Sequence, residues 1–460
     1  MTVVEELTNK AQALLEDRSF RELRDLLGPL FPADIAEIIG QFSPTDQAIV
    51  FRILPRELAA DIFEYLELEH QTCLLAALGD YRVALILNEM DPDDRTALLE
   101  EIPAAAAKQL IKLLSKEQRQ VAITLLGFPE NSVGRLMNPE YLAVKQDWSM
   151  TRVLEHIRAH GEEVDVINTI YVLDEQGRLV ADIRIREVLL APPDLAVKDL
   201  IGRQVVALRA TQDQEEAVEV FKKYDRNTLP VVDSQGVMMG IVTADDMLDI
   251  AEEEATEDIQ KLGAVEALEE PYISIPLSEL VHNRARWLVV LFVGELLTAT
   301  AMGYFEKEIE QAIVLALFIP LVISSGGNSG SQAATLIIRS LSIGEIELSD
   351  WRRVLRREFG AGALLGLLLG TLGFLRIALW AAFAGHYGDH WPLVGFVVGF
   401  TLLTVVLWGA VTGAMLPFIM QRLGADPAAS STPFVATLVD VTGVVIYFSV
   451  ASVVLSGTLL

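Results

Sequence analysis

Residues 433–455 read PFVATLVDVTGVVIYFSVASVVL, an apolar run interrupted by a single charge. A stretch of this length matches the roughly 20 apolar residues needed to cross a bilayer. With no water to satisfy its backbone there, it must be helical. The charge is Asp440, near the middle. A carboxylate at that depth costs about 2.5–3.5 kcal/mol on insertion scales, so it belongs against a bundle interior or a water-filled path. Two readings follow: Asp440 lines a cation pathway, or it is structural, held by a helix dipole or by Arg376 of another apolar segment.

Four more apolar stretches precede it, at residues 287–304, 312–338, 359–384 and 393–420. Arg284 and Arg286 lie before the first. Arg339, Arg352, Arg353, Arg356 and Arg357 lie between the second and third, and Arg422 between the fourth and fifth. Positive charge marks one face of the membrane as cytoplasmic and puts everything before residue 279 on that face. Five spans then leave the C-terminus outside. The second stretch contains PLVISSGGNSGSQ (320–332), which predicts a break in the helix. Its small residues suit close helix packing; its polar ones suit a cavity wall. The Gly- and Leu-rich residues 359–373 read as packing, and His386 and His390 carry no assigned role.

Residues 1–270 hold 52 acids and 26 bases, against 12 and 10 in the rest. So acidic a region does not bind nucleic acid, which requires clustered Lys and Arg. It suits a cationic partner such as a divalent metal, or simply solubility. Cys73 is the only cysteine, so neither a disulfide framework nor a thiolate cluster is expected. No signal-peptide pattern opens the chain, and the N-terminal part is expected in the cytoplasm.

Within 1–130, apolar residues recur at three and four (ADIAEIIGQF, ELAADIFEYL, RTALLEEI), with prolines near segment starts. This predicts a stack of short helices, a small solenoid without a recognised repeat. Asp91-Pro92-Asp93-Asp94 marks one helix start. Residues 131–251 repeat: VLDEQGRLVADIRIREVL (172–189) aligns with VVDSQGVMMGIVTADDML (231–248) at an offset of 59. Each copy reads strand, helix, strand, Gly turn, strand, helix. In the connector 252–278 and just before it, Asp246, Asp249, Glu253 and Glu257 share one helical face and repel unless cations neutralise them. Pro271 and Pro276 close the helical pattern before the membrane segment, 279–460.

The repeated module resembles a tandem pair of CBS domains, through Leu229-Pro230-Val231-Val232-Asp233, Gly236 and Gly240 to Asp246. That resemblance implies an adenine-nucleotide site, such as one for ATP, with Thr243 and Asp246 on the ribose. The first copy departs, with Arg184 and Glu187 there, and a structural pair without nucleotide is the other reading. The membrane half is similar to the MgtE family of magnesium channels and transporters. The carrying stretches are SSGGNSGSQ (324–332), GAMLPF (413–418), GADP (424–427) and PFVATLVDVTG (433–443), with the connector EATEDIQKLGA (254–264) matching the family's plug helix. The implied architecture is a multidomain membrane protein: an all-α acidic cytosolic domain, an α/β CBS pair and five transmembrane helices.

The resemblance further implies a homodimer in the cell membrane, with the pore on its two-fold axis and Asp440 of each copy facing the other. The backbone of Ala436 lies alongside. Paired carboxylates suit Mg²⁺, which dehydrates reluctantly. Asp91, Asp94, Asp213, Glu215, Asp225, Asp246, Asp249, Glu254, Glu257, Asp258 and Asp426 match regulatory Mg²⁺ positions. Thr432 replaces an expected amide at the pore entrance. The expected function is Mg²⁺ entry, shut off by cytoplasmic Mg²⁺. Co²⁺, Ni²⁺ or Mn²⁺ as cargo, and a membrane-anchored nucleotide sensor that transports nothing, are the alternatives. Neither a nucleophile with its base nor a phosphate-cradling loop is present, so no enzyme is expected.

Overall fold

The computed structural model describes residues 3–162, 164, 166–202, 204–268, 272–273, 275–384, 387 and 389–459. Pro271 and His386 lie outside the described residues. The chain divides into two compact units, Met1–Ala251 and Glu252–Leu460.

The first unit opens with ten helices: α1 (Val3–Glu16), α2 (Phe20–Leu27), α3 (Pro32–Gly40), α4 (Pro44–Ile53), α5 (Arg56–Glu64), α6 (Leu68–Ala77), α7 (Asp80–Glu89), α8 (Pro92–Glu101), α9 (Ala104–Leu113) and α10 (Lys116–Leu125). From α3 onward the starts recur every 24 residues: 32, 56, 80 and 104 for one set, 44, 68, 92 and 116 for the other. The stack predicted from the sequence is therefore a regular repeat of helix pairs, in which α3 packs on α5, α5 on α7 and α7 on α9. Pro32, Pro44 and Pro92 occupy first-turn positions, where a missing N–H costs nothing.

One polar side chain recurs at the same interval. Gln47 donates to the Ile39 and Phe42 carbonyls at 3.2 Å, and Gln71 to Phe63 at 2.8 Å. Arg95 donates to Leu87 and Met90 at 3.1 Å, and Arg119 to Ile111 at 2.9 Å and Leu114 at 3.0 Å. Each donates to carbonyls at the C-terminal end of the preceding helix, where the helical pattern leaves acceptors only partly met.

Two small sheets follow. After α11 (Val133–Leu136), the first copy runs β1 (Ala143–Lys145), α12 (Met150–His160), β2 (Thr169–Leu173), β3 (Leu179–Arg184) and α13 (Ile185–Leu190). The second runs β4 (Leu208–Arg209), α14 (Gln214–Tyr224), β5 (Thr228–Val232), β6 (Met238–Thr243) and α15 (Ala244–Leu262). In each, the first strand pairs parallel to the second, and the second antiparallel to the third. The register slips between Val172 and Leu173 in one copy and between Val231 and Val232 in the other, 59 residues on. Gly177 and Gly236, also 59 apart, both turn at positive φ, a conformation open to glycine at little cost. The copies meet where Thr228 Oγ1 donates to Thr169 Oγ1 at 3.2 Å.

The second unit takes the end of α15 and then α16 (Leu277–Tyr304), α17 (Glu306–Gln311), α18 (Ile313–Ala316), α19 (Ile319–Ser342), α20 (Trp351–Ala384), α21 (Trp391–Arg422) and α22 (Thr432–Leu455). Among the described residues, five segments are long and apolar enough to cross a membrane: Leu277–Tyr304, Ile313–Ser342, Leu348–Phe383, Trp391–Arg422 and Thr432–Leu455. The break predicted at 320–332 is not there. That run is continuous helix, with Pro320 in its first turn, and the interruption falls earlier, between α18 and α19.

The glycines of α19 instead permit backbone contact with α21. A Cβ on Gly409 would stand 2.3 Å from the Gly326 carbonyl oxygen, and one on Gly413 only 2.0 Å from that of Gly330. Buried Ser329 donates to the Val406 carbonyl across the same seam. The α20–α21 seam follows the same rule, as the sequence of 359–373 predicts: a Cβ on Gly370 would lie 2.4 Å from the Gly399 oxygen. Small-residue contacts of this kind hold helices together where apolar burial gives no drive.

Candidate functional site

Helix α22 starts at Ser431, whose hydroxyl accepts from the Phe434 N–H, with Pro433 in the first turn. Two turns along stands Asp440, half-buried. A Cβ at Gly327 of α19 would lie 3.6 Å from its Oδ1 and 3.5 Å from the Ala436 Cβ. The absent side chain of Gly327 is thus what leaves room beside Asp440. Arg376 does not pair with it: that guanidinium lies over the Trp380 ring, 3.3 Å from its centroid.

The group that does meet Asp440 is Glu295 of α16, whose carboxyl acts directly on it. In the sequence Glu295 is one acid among the twelve after residue 270. The signal that would have found it is the one that found Asp440: a lone acid deep in an apolar span. Helix α16 is brought close by Gly294, which packs against Thr437.

One turn toward the start of α22, a cavity of about 640 Å³ is lined by Ser331, Gln332, Thr335, Leu336, Thr432, Pro433 and Ala436. Both sequence readings of the 320–332 run therefore hold, for different residues. Its glycines pack, and Ser331 and Gln332 wall a cavity. Thr432 sits at the cavity's edge. Its hydroxyl donates to the Leu262 carbonyl at the end of α15, and its own carbonyl accepts from Ser331, each at 3.1 Å.

The last turns of α15 carry Glu254, Glu257 and Asp258. Lys261, which no motif marks, binds Glu257 and, at 2.6 Å, Asp426 Oδ2. Asp426 also caps a short turn, its Oδ1 accepting from Ala428 N–H at 2.8 Å. Burial opposes the charge on Lys261, but its hydrogen bonds to Asp426 and Glu257 outweigh that and raise its pKa. Burial, then the charge of Asp426, raises the pKa of Asp258. Glu257, Asp258 and Asp426 are thus one group around a built-in cation.

In the first unit, Asp91 and Asp94 meet a residue no motif marks. Carboxylate oxygens of Glu64, Asp91 and Asp94 lie within 4.8 Å of one another, and Glu64 Oε1 accepts from the Asp91 N–H at 2.9 Å. Burial, then the charge of Asp94, pushes the Glu64 carboxyl up to about 8. Burial, then the charge of Asp246, raises Asp93, whose Oδ1 is buried without a hydrogen-bond partner. Burial likewise raises Asp246. The all-oxygen donors and mutual repulsion of Glu64, Asp91 and Asp94 fit a hard dication such as Mg²⁺, and the orphaned oxygen of Asp93 belongs to the neighbouring residue outside that trio.

The remaining residues behave differently. Asp249 follows Asp246 on α15 by one turn. Asp213 caps the start of α14, accepting from Glu215 N–H at 2.9 Å, while Asp225 stands past its other end in a left-handed conformation. Eleven helical residues separate those ends by about 16 Å, so Asp213 and Glu215 do not share an ion with Asp225 of the same chain. Thr243 donates its hydroxyl to Asp246 and its N–H to the same oxygen at 3.3 Å. The first copy makes the equivalent bond from Arg184 N–H to Glu187 at 2.9 Å. The departure at 184 and 187 therefore keeps the helix-capping part of the pattern.

Comparison with known proteins gives three family matches. A divalent cation transporter model covers residues 319–450, an intracellular N domain model covers 30–131, and CBS domain models cover 133–194 and 197–253. The magnesium transporter MgtE of Thermus thermophilus is 38% identical over 456 residues, 98% of this chain and 99% of the relative. That of Bacillus subtilis is 30% identical over 448 residues, 97% of each. A crystal structure of the cytosolic domain of the Mg²⁺ channel MgtE in complex with ATP matches 53% of this chain and 99% of its own, at 32% identity and a TM-score of 0.51. The soluble part of a magnesium transporter matches 55% of this chain and 99% of its own, at 23% identity and a TM-score of 0.52, a likeness of fold.

Proposed function

The chain belongs to the MgtE family of magnesium transporters, and on that premise we propose that it admits Mg²⁺ to the cytoplasm across the plasma membrane through a path carried by Asp440. It is a transporter, not an enzyme. The observation that supports the path is the meeting of Asp440 and Glu295 at mid-membrane, one turn from the cavity at Ala436, to whose mostly apolar wall Ser331, Gln332 and Thr432 add polar groups. Carboxylates attract a dication while leaving it hydrated, as Mg²⁺ requires. A membrane potential then draws it inward with about 4.6 kcal/mol per 100 mV for two charges. The path offers neither His nor Cys, which disfavours Co²⁺ and Ni²⁺ as the main cargo.

The working form in this reading is a homodimer in which the two copies of Asp440 face each other. The chain divides into a helical domain (1–130), a CBS pair (131–251), a connector (252–278) and a membrane domain (279–460). The acidic groups at Glu64, Asp91, Asp93, Asp94 and Asp246, and at Glu254, Glu257, Asp258 and Asp426, sense cytoplasmic Mg²⁺, as do Asp249, Asp213, Glu215 and Asp225. Metal bound there supplies charge neutralisation. Without it these carboxylates repel, α15 leaves its position beside Thr432, and the cavity opens. Thr243 and Asp246 take the ribose of ATP, the ligand of the related cytosolic domain.

Liposomes loaded with a Mg²⁺-sensitive dye test the central claim. The native chain is expected to give an inward flux that Asp440→Ala reduces at least tenfold. Equal flux in the two would remove Asp440 from the path.

A further inference from the structure

Four arginines stand within six positions at the start of α20: Arg352, Arg353, Arg356 and Arg357, all exposed. With Ser349 and Asp350 they line an open cavity of about 570 Å³. Positions 352 and 356, and 353 and 357, are neighbours one helical turn apart, where like charges repel. Only part of that repulsion is met inside the protein. Asp350 takes Arg353 at 3.1 Å, and the Arg352 guanidinium lies 5.2 Å from the Trp351 ring centroid. Arg352 and Arg356 make no ion pair among the described residues.

Depth then decides what the cluster meets. Helix α20 has 34 residues and is about 51 Å long, while the hydrocarbon core is about 30 Å thick. Its apolar stretch begins at 359, so the arginines fall in the two turns just outside hydrocarbon. Lipid phosphates lie at that level. Trp351, which is partly exposed, sits where aromatic residues mark the interface. Guanidinium forks bind phosphate oxygens in pairs, and clustered basic residues beside a span attract anionic headgroups.

We propose that this cavity binds the headgroup phosphate of an anionic phospholipid in the cytoplasmic leaflet. Soluble phosphate has the same chemistry, but the cavity's place at the membrane boundary favours lipid.

Native mass spectrometry of the full-length protein in detergent, titrated with phosphatidylglycerol or phosphatidylcholine, tests this. Phosphatidylglycerol should be retained preferentially. The double variant R352Q/R356Q should weaken that preference roughly 30-fold, and R352K/R356K should keep most of it because the charge remains. If the double variant is not monodisperse, R352Q alone carries the test, with a loss of roughly fivefold. An unchanged preference in the Gln variants overturns the site. Displacement of the lipid by millimolar inorganic phosphate overturns the lipid assignment and makes it a free-phosphate site.

Discussion

Arg95 shows how one side chain serves two masters. Fully buried, it closes the carbonyls of α7 as Gln47 and Gln71 close those of α3 and α5, and it holds Gln118 at 2.6 Å. It also places a positive charge near Asp91, Asp93 and Glu64. Because glutamine already fills the equivalent position twice, Arg95→Gln should cost about 1 kcal/mol less than Arg95→Ala, which strands those carbonyls at about 1–3 kcal/mol. Urea melts of the two variants check the order; equal losses would mean that the repeat does not set this position. The 24-residue interval was not legible in the sequence because the recurring residue changes from Gln to Arg and is bland in both forms. Glu64 was illegible for another reason: it lies 27 residues before Asp91, and only folding joins them. Glu295 is legible by the rule that marks Asp440, a lone acid within an apolar span. Replacing it with Gln keeps size and removes charge. Mg²⁺ flux into liposomes should fall roughly tenfold, about 1.4 kcal/mol of barrier, and native flux would exclude it from the path.

Among the elements, α15 ties the most together. It begins with the Thr243–Asp246 cap, carries the acidic face predicted from sequence, and ends against Thr432. The five spans and the doubled module with its offset of 59 were readable because periodicity and charge report them directly. The continuity of α19 was not, because glycine weakens helices in water but serves close packing between membrane helices. Nor does spacing reveal that Lys261 reaches Asp426, 165 residues on. Lys261→Gln removes a cation that competes with metal for Glu257, Asp258 and Asp426. Without Mg²⁺, protease should then cut sooner just beyond Leu262. The Mg²⁺ concentration for half-protection should fall several-fold, an effect of about 1 kcal/mol for a partly exposed pair. A higher midpoint would show that the lysine aids metal binding instead.

For the molecule as a whole, buried charge ties stability to pH. Burial and neighbouring carboxylates raise Glu64 to about 8, and Asp93 and Asp246 rise with it. A group raised on folding stabilises the fold fully below its unfolded value, near 4.5 for Glu64, and that stability is lost as pH climbs through about 8. In chelator, hydrogen exchange across α5 and α8, corrected for intrinsic rates, should therefore quicken between those limits. Added Mg²⁺ should flatten the trend, since ionised carboxylates are what a metal binds. Protection that ignores pH in chelator would deny that these acids are held close without metal.

The even spacing of helix pairs between residues 32 and 125 has a consequence for how such a domain can change length. Removing or inserting one full unit keeps every later cap over its own helix end and merely shortens or lengthens the stack. A shift of any other size would leave Arg95 and Arg119 facing the wrong turn. Growth by whole modules is the change this scaffold absorbs, and the acid-bearing unit that begins at Asp91 would travel with it intact.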